Sequence, residues 1–108
     1  MDCACIDLLA QALRTGEQEL EALSDGKPEQ AAVWEEERSR LTQQALELSG
    51  DVPVEILLME FQKLCDMQTR LTQAGNALRQ IWQKELMRVR GESRRLAGYK
   101  QAAAHALN

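Results

Sequence analysis

The sequence predicts an all-α protein, an antiparallel bundle of three to four helices with a long third helix and a short C-terminal helix. Three observations carry this prediction. Leu, Ala, Glu, Gln and Arg, all good helix formers, dominate a chain of 108 residues that is 44% hydrophobic but only 4% aromatic. The only prolines, Pro28 and Pro53, each follow a short cluster of turn residues. Apolar residues recur three and four positions apart along most of the chain, and no stretch alternates with period two over a strand's length. The length suits one modest core, so residues 1–108 read as a single helical-bundle domain, with 92–108 a candidate mobile lid.

The first helix is expected over about residues 4–23. Ile6, Leu9, Leu13, Gly16, Leu20 and Leu23 step by three and four, which is the spacing of a coiled-coil seam. Gly16 removes bulk from that seam and lets another helix approach, at some cost in helix stability. Ser24-Asp25-Gly26-Lys27-Pro28 then ends one helix and begins the next. Gly26 suits the left-handed position after a helix end. Pro28 suits a first turn, where its missing N–H is not needed, and Glu29 complements the positive end of the helix dipole.

The second helix is expected to run to about Leu48, with Trp34, Arg38, Leu41, Ala45 and Leu48 on one face. An arginine on the seam lays its stem along apolar neighbours and pairs its head with a carboxylate. Glu17 and Glu21 are the candidates for Arg38. Ser49-Gly50-Asp51-Val52-Pro53 is the second break, with Asp51 able to cap and Pro53 placed for a first turn.

The third helix is expected over residues 53–90. Val54, Leu57, Leu58, Phe61, Leu64, Cys65, Leu71, Leu78, Trp82 and Val89 keep helical spacing, with Gln68 and Gly75 its weak points. Gly91 is the next expected break, before a final helix over 92–106. At a rise of about 1.5 Å per residue the first two helices span roughly 30 Å each and the third about 57 Å. Short loops make consecutive helices antiparallel neighbours. The first two can therefore cover only half of the third.

The uncovered half, ALRQIWQKELMRV, places Leu78, Ile81, Trp82, Leu86 and Val89 on one side. An exposed apolar patch of that size marks an interaction surface. The final helix, with Leu96 and Tyr99, is expected to fold back as a weak, displaceable lid. A second copy of the chain is an alternative cover. Arg88, Arg90, Arg94 and Arg95 would form a basic rim, useful for orientation and encounter rate.

Charge is unevenly spread. Residues 1–60 hold fourteen acids and four bases, whereas residues 61–108 hold three acids and nine bases. A basic half invites an acidic partner, but the bases are spaced along helices and no nucleic-acid motif accompanies them, so nucleic acid is not expected. No apolar run approaches a bilayer span and the N-terminus lacks the basic flank of a signal peptide, so membrane insertion is not expected either. Cys3, Cys5 and Cys65 lack framework spacing and read as free thiols of a reducing compartment, Cys65 as a small core residue and the first five residues as a frayed end. With His105 alone in the tail, neither a metal site nor any cofactor is expected. No paired carboxylates in an apolar setting, activated thiol or phosphate loop appears, so an enzyme is not expected.

Two stretches resemble a known family. Leu20–Leu41, LEALSDGKPEQAAVWEEERSRL, has a first helix, a glycine-containing turn and then a Glu-Arg pair before leucine, here Glu37-Arg38 and Leu41. Arg94–Tyr99 in ESRRLAGYK supplies a late Arg-x-Leu-x-x-Tyr. Together with the long third helix, they resemble the small flagellar export chaperones, the filament-cap chaperone family FliT first and the hook-associated-protein chaperone FlgN second. In place of the aromatic that this family often carries after the turn glycine stand Lys27-Pro28, with Trp34 two turns later. The resemblance implies a cytoplasmic chaperone that holds the helical C-terminal segment of an axial flagellar protein unassembled before type III export. It also implies contacts with export-apparatus components and a C-terminal helix that covers the client surface until displaced. A structural coiled-coil homodimer or assembly subunit without chaperone activity is the alternative reading.

Overall fold

The computed structural model describes residues 4–106 of the chain, and side chains over residues 4–98. It is all-α, with three helices: α1 (Ala4–Ser24), α2 (Pro28–Glu47) and α3 (Val54–Ala106). The chain divides into two compact units, residues 1–76 and 77–108. Cys3 and Leu107, and the side chains of Tyr99 and His105, lie outside the described residues.

The first unit packs α1, α2 and the first part of α3 around a thin core. Cys5, Leu9 and Ala12 of α1 meet Leu41 and Ala45 of α2 and Leu64 of α3, with Val52, Leu57 and Phe61 packed against them. The buried line on α1 is Cys5, Leu9, Ala12, Gly16 and Glu19. It shares Leu9 and Gly16 with the expected seam, but Ile6, Leu13, Leu20 and Leu23 are half-buried flanks. The reason is size: small residues on the central line let the helices approach closely, and the larger leucines close the sides.

Local chemistry sets the breaks. Gly26 has φ +71°, the left-handed conformation that ends α1, and the Lys27 N–H donates to the Ala22 carbonyl. Pro28 opens α2 as expected. The Ile56 and Leu57 N–H groups both donate to the Pro53 carbonyl, which starts α3.

Gly16 carries out the role its position suggested. A Cβ built there would lie 2.7 Å from Met67 Cγ, and Met67 is buried. The glycine is thus a notch into which α3 presses a side chain. Arg38 does pair with a carboxylate, but the partner is Glu19 rather than Glu17 or Glu21. Arg38 Nε donates to Glu19 Oε1 at 2.9 Å, with both side chains mostly buried, and a second guanidinium nitrogen donates to Gln68 Oε1 at 3.1 Å. Glu17 instead forms an exposed pair with Arg70. One arginine therefore ties the three helices of this unit together.

Three other expectations are corrected. Cys5 is in the core and Cys65 is exposed, the reverse of the expected arrangement, because the core line passes through Leu64 and Met67 instead. Burial pushes the Cys5 thiol above its ordinary pKa. Val54 and Leu58 are also exposed. Finally, α3 does not end at Gly91, and no separate helix follows. A single glycine costs a helix only about 1 kcal/mol. No proline follows Gly91, and the Arg88–Glu92 ion pair bridges it at 2.6 Å.

Candidate partner-binding site

The second unit, over its described residues, is one helical segment. From residue 79 to residue 98 every side chain is exposed, and Gly91 alone is half-exposed. Ile81 is 61% exposed, Trp82 51%, Leu86 49%, Val89 45% and Leu96 60%. Leu78 is half-buried. These fractions are far above what a bundle interior would give.

Helical geometry orders them. At about 100° per residue, Leu78, Trp82, Val89 and Leu96 fall within about 40° of one another, and Ile81 and Leu86 flank them on either side. The structure therefore brings the expected residues onto one stripe. It also changes the role of Leu96. In place of a lid folded onto the stripe, Leu96 continues the stripe one heptad beyond Val89, because the helix runs on through Gly91. Tyr99 keeps the same spacing in sequence, its side chain being outside the described set.

The basic residues lie on both margins. By the same geometry Lys84, Arg88 and Arg95 follow one side of the stripe, and Arg79, Arg90 and Arg94 the other. Arg88 is not a free member of this rim. Its guanidinium is hydrogen-bonded to both Glu85 and Glu92. The Arg88 hydrogen bond, reinforced by its charge, holds the Glu85 carboxyl below the usual carboxylate range.

Those two glutamates are the feature that reading for hydrophobic spacing missed. Leu78, Trp82, Glu85, Val89, Glu92 and Leu96 step by four and three, so the seam alternates apolar and acidic members in its second half. The signal was present in the spacing and is visible once the seam is read for every residue on it.

Nothing among the described residues marks a chemical site. No group of three or more His, Cys, Asp or Glu side chains gathers as a metal cage, and no buried side-chain nitrogen or oxygen lacks a hydrogen-bond partner. Among these residues no helix is long and apolar enough to cross a membrane. The arrangement offers a surface for another helix, its centre apolar with Glu85 and Glu92 set into the second half, and its edges basic. Compared with known proteins, the chain matches no family model, no curated protein and no solved structure.

Proposed function

We propose that this chain is a cytoplasmic helix-binding chaperone of the flagellar export type, which holds the amphipathic C-terminal helix of an axial protein until export. The observation that carries this reading is the exposed stripe of Ile81, Trp82, Leu86, Val89 and Leu96 on one helical segment. An amphipathic helix laid against it, with anchors at helical spacing, would bury all five. Each such side chain is worth roughly 1.5–3 kcal/mol when fully buried, an upper bound before the costs of association. The resemblance of Leu20–Leu41 and Arg94–Tyr99 to flagellar export chaperones supplies the class of client. Glu85 and Glu92 within the stripe would select a client helix carrying a base opposite them.

The test is co-expression with the C-terminal segments of several flagellar axial proteins. Capture of one or more is expected. Trp82→Asp places a charge at the centre of the stripe and should weaken capture by at least about tenfold, the effect of losing an aromatic anchor. A chain ending at Gly91 should bind more weakly than the full chain, because it loses Leu96. Failure to capture any segment, or unchanged capture by Trp82→Asp, would overturn the reading.

A further inference from the structure

The first unit carries an apolar patch of its own at the end where α2 finishes and α3 begins. Val54, Leu58 and Met59 are each 65% exposed. Val54, Leu58, half-buried Phe61 and exposed Cys65 follow one another at steps of four, three and four along α3. Leu48, in the loop leading into α3, is exposed at the same end. These residues belong to a seam that the core of this unit uses on only one side.

The chain that carries the patch is acidic. Residues 41–62 contain Glu47, Asp51, Glu55 and Glu60 and no Lys or Arg. Asp7, in the first turn of α1, stands at the same end of the bundle, since Cys5 and Leu9 on either side of it belong to the core cluster against which Val52 and Phe61 pack. Lys63, one residue beyond this run, is held by Glu60 at 3.0 Å on the other side of α3. The patch is therefore an apolar surface with a negative margin.

The opposite surface is present on the same chain. Residues 77–98 combine the apolar stripe with six bases and two acids. From these two observations we infer that the chain associates with a second copy of itself head to tail, the 78–96 stripe of one copy docking on the Val54–Leu58 patch of the next. Charge selects this pairing over stripe against stripe, in which two basic margins would face one another. It also selects it over patch against patch, where two acidic margins would meet. Such a contact is heterologous: each copy retains one unused stripe or patch, so assembly continues beyond two copies unless a ring closes. The inference stands independently of the client proposal. Where both hold, client and second copy compete for one stripe, and self-association is the idle form that a client displaces.

Two full-length variants test this without disturbing the core, because both residues are exposed. Leu58→Asp damages the patch and Trp82→Asp damages the stripe. In sedimentation velocity over a concentration series, the wild-type chain is expected to form species larger than a monomer, more weakly at high salt. Each variant alone should remain monomeric. An equimolar mixture should form a 1:1 dimer and nothing larger, because one intact patch then meets one intact stripe. Far-UV circular dichroism checks that each variant is folded, with Val54→Asp replacing Leu58→Asp if needed. A wild-type chain that stays monomeric at all concentrations overturns the inference, as does a mixture that stays monomeric. Self-association that survives Leu58→Asp but not Trp82→Asp would show stripe against stripe and overturn it as well. Client capture that survives Leu58→Asp separates this inference from the chaperone proposal, since only the stripe serves both.

Discussion

Leu9 and Trp82 both occupy seam positions of amphipathic helices, and the structure treats them oppositely. Leu9 is completely buried, while Trp82 is half exposed on a helix whose described neighbours from 79 to 98 are all open to solvent. In the first unit the seam serves to hold the protein together. In the second it serves as a surface. Helical periodicity therefore identifies a face that wants burial but does not identify what buries it. Core packing and partner binding use the same residue types at the same spacing, and only the inventory of available neighbours separates them.

That contrast is broken most sharply by truncating each seam. Leu9→Ala removes a wholly buried side chain from a core with few large members, and should cost about 3 kcal/mol in chemical denaturation. Trp82→Asp should shift global stability by no more than about 0.5 kcal/mol, as expected for an exposed position. Equal losses at the two positions would mean that the stripe is part of the fold rather than a surface on it.

Ion pairs offer a second contrast, between Glu19 and its neighbour Glu17. Glu19 is buried with Arg38, whereas Glu17 and Arg70 are each more than half exposed. Glu19→Ala leaves the Arg38 charge with Gln68 as its remaining partner, and should destabilise by about 3 kcal/mol. Glu17→Ala should cost less than about 1 kcal/mol and lose that effect in salt. Thermal melts of both variants at low and high salt provide the comparison.

These residues also show what sequence can and cannot reveal. Gly26 and Pro28 were legible because the chemistry of a turn is local: one needs a positive φ and the other lacks an N–H. The pairing of Arg38 was legible from its place on a seam, but Glu19 was not distinguishable from Glu17 and Glu21. The choice depends on the phase of α1 to within one residue, and that phase is set by the small residues Cys5, Ala12 and Gly16, which hydrophobic patterning undervalues. Cys65 was misread for the same reason, one position from buried Leu64. The Ile81–Val89 stripe was legible because its spacing is clean. The continuation through Gly91 was not, because a glycine looks like a stop until the cross-turn pair of Arg88 and Glu92 is seen.

Glycine substitution should act oppositely in the two units. Alanine improves helix propensity by about 1 kcal/mol at either Gly16 or Gly91. At Gly16 the new methyl group would fall 2.7 Å from Met67 Cγ and 3.1 Å from its Sδ, so buried Met67 must move. Overpacking of that kind costs about 1–3 kcal/mol, so Gly16→Ala should be destabilising on balance. At Gly91 nothing lies within 4 Å of the new methyl group. Gly91→Ala should therefore increase far-UV helicity and slow amide exchange around residues 88–95, while leaving the melting of the first unit unchanged. A destabilising Gly91→Ala would reveal a close neighbour at that point of the helix.

The smallest expected effect concerns pH, and in the second unit it rests on Glu85. Glu85 has its pKa lowered by the Arg88 hydrogen bond and then by its charge. A carboxylate whose pKa is depressed in the folded state stabilises that state fully above its unfolded value, and the contribution fades as pH falls through the folded one. The window therefore lies below the ordinary carboxylate value of about 4.3. Acidification into that range should loosen the turns spanning residues 85–92, and likewise the exposed Glu37–Arg40 turn of α2, whose carboxyl is lowered in the same way. Circular dichroism of wild-type and Glu85→Gln chains through an acid titration reads this directly. The variant should lack the share of that loss of helicity that arises at residues 85–92, and the share is expected to be slight because both partners are exposed and solvent screens the pair. An identical titration for the two chains would show that Arg88 supports the helix through Glu92 alone, and would leave Glu85 as a charge set in the stripe for whatever helix meets it.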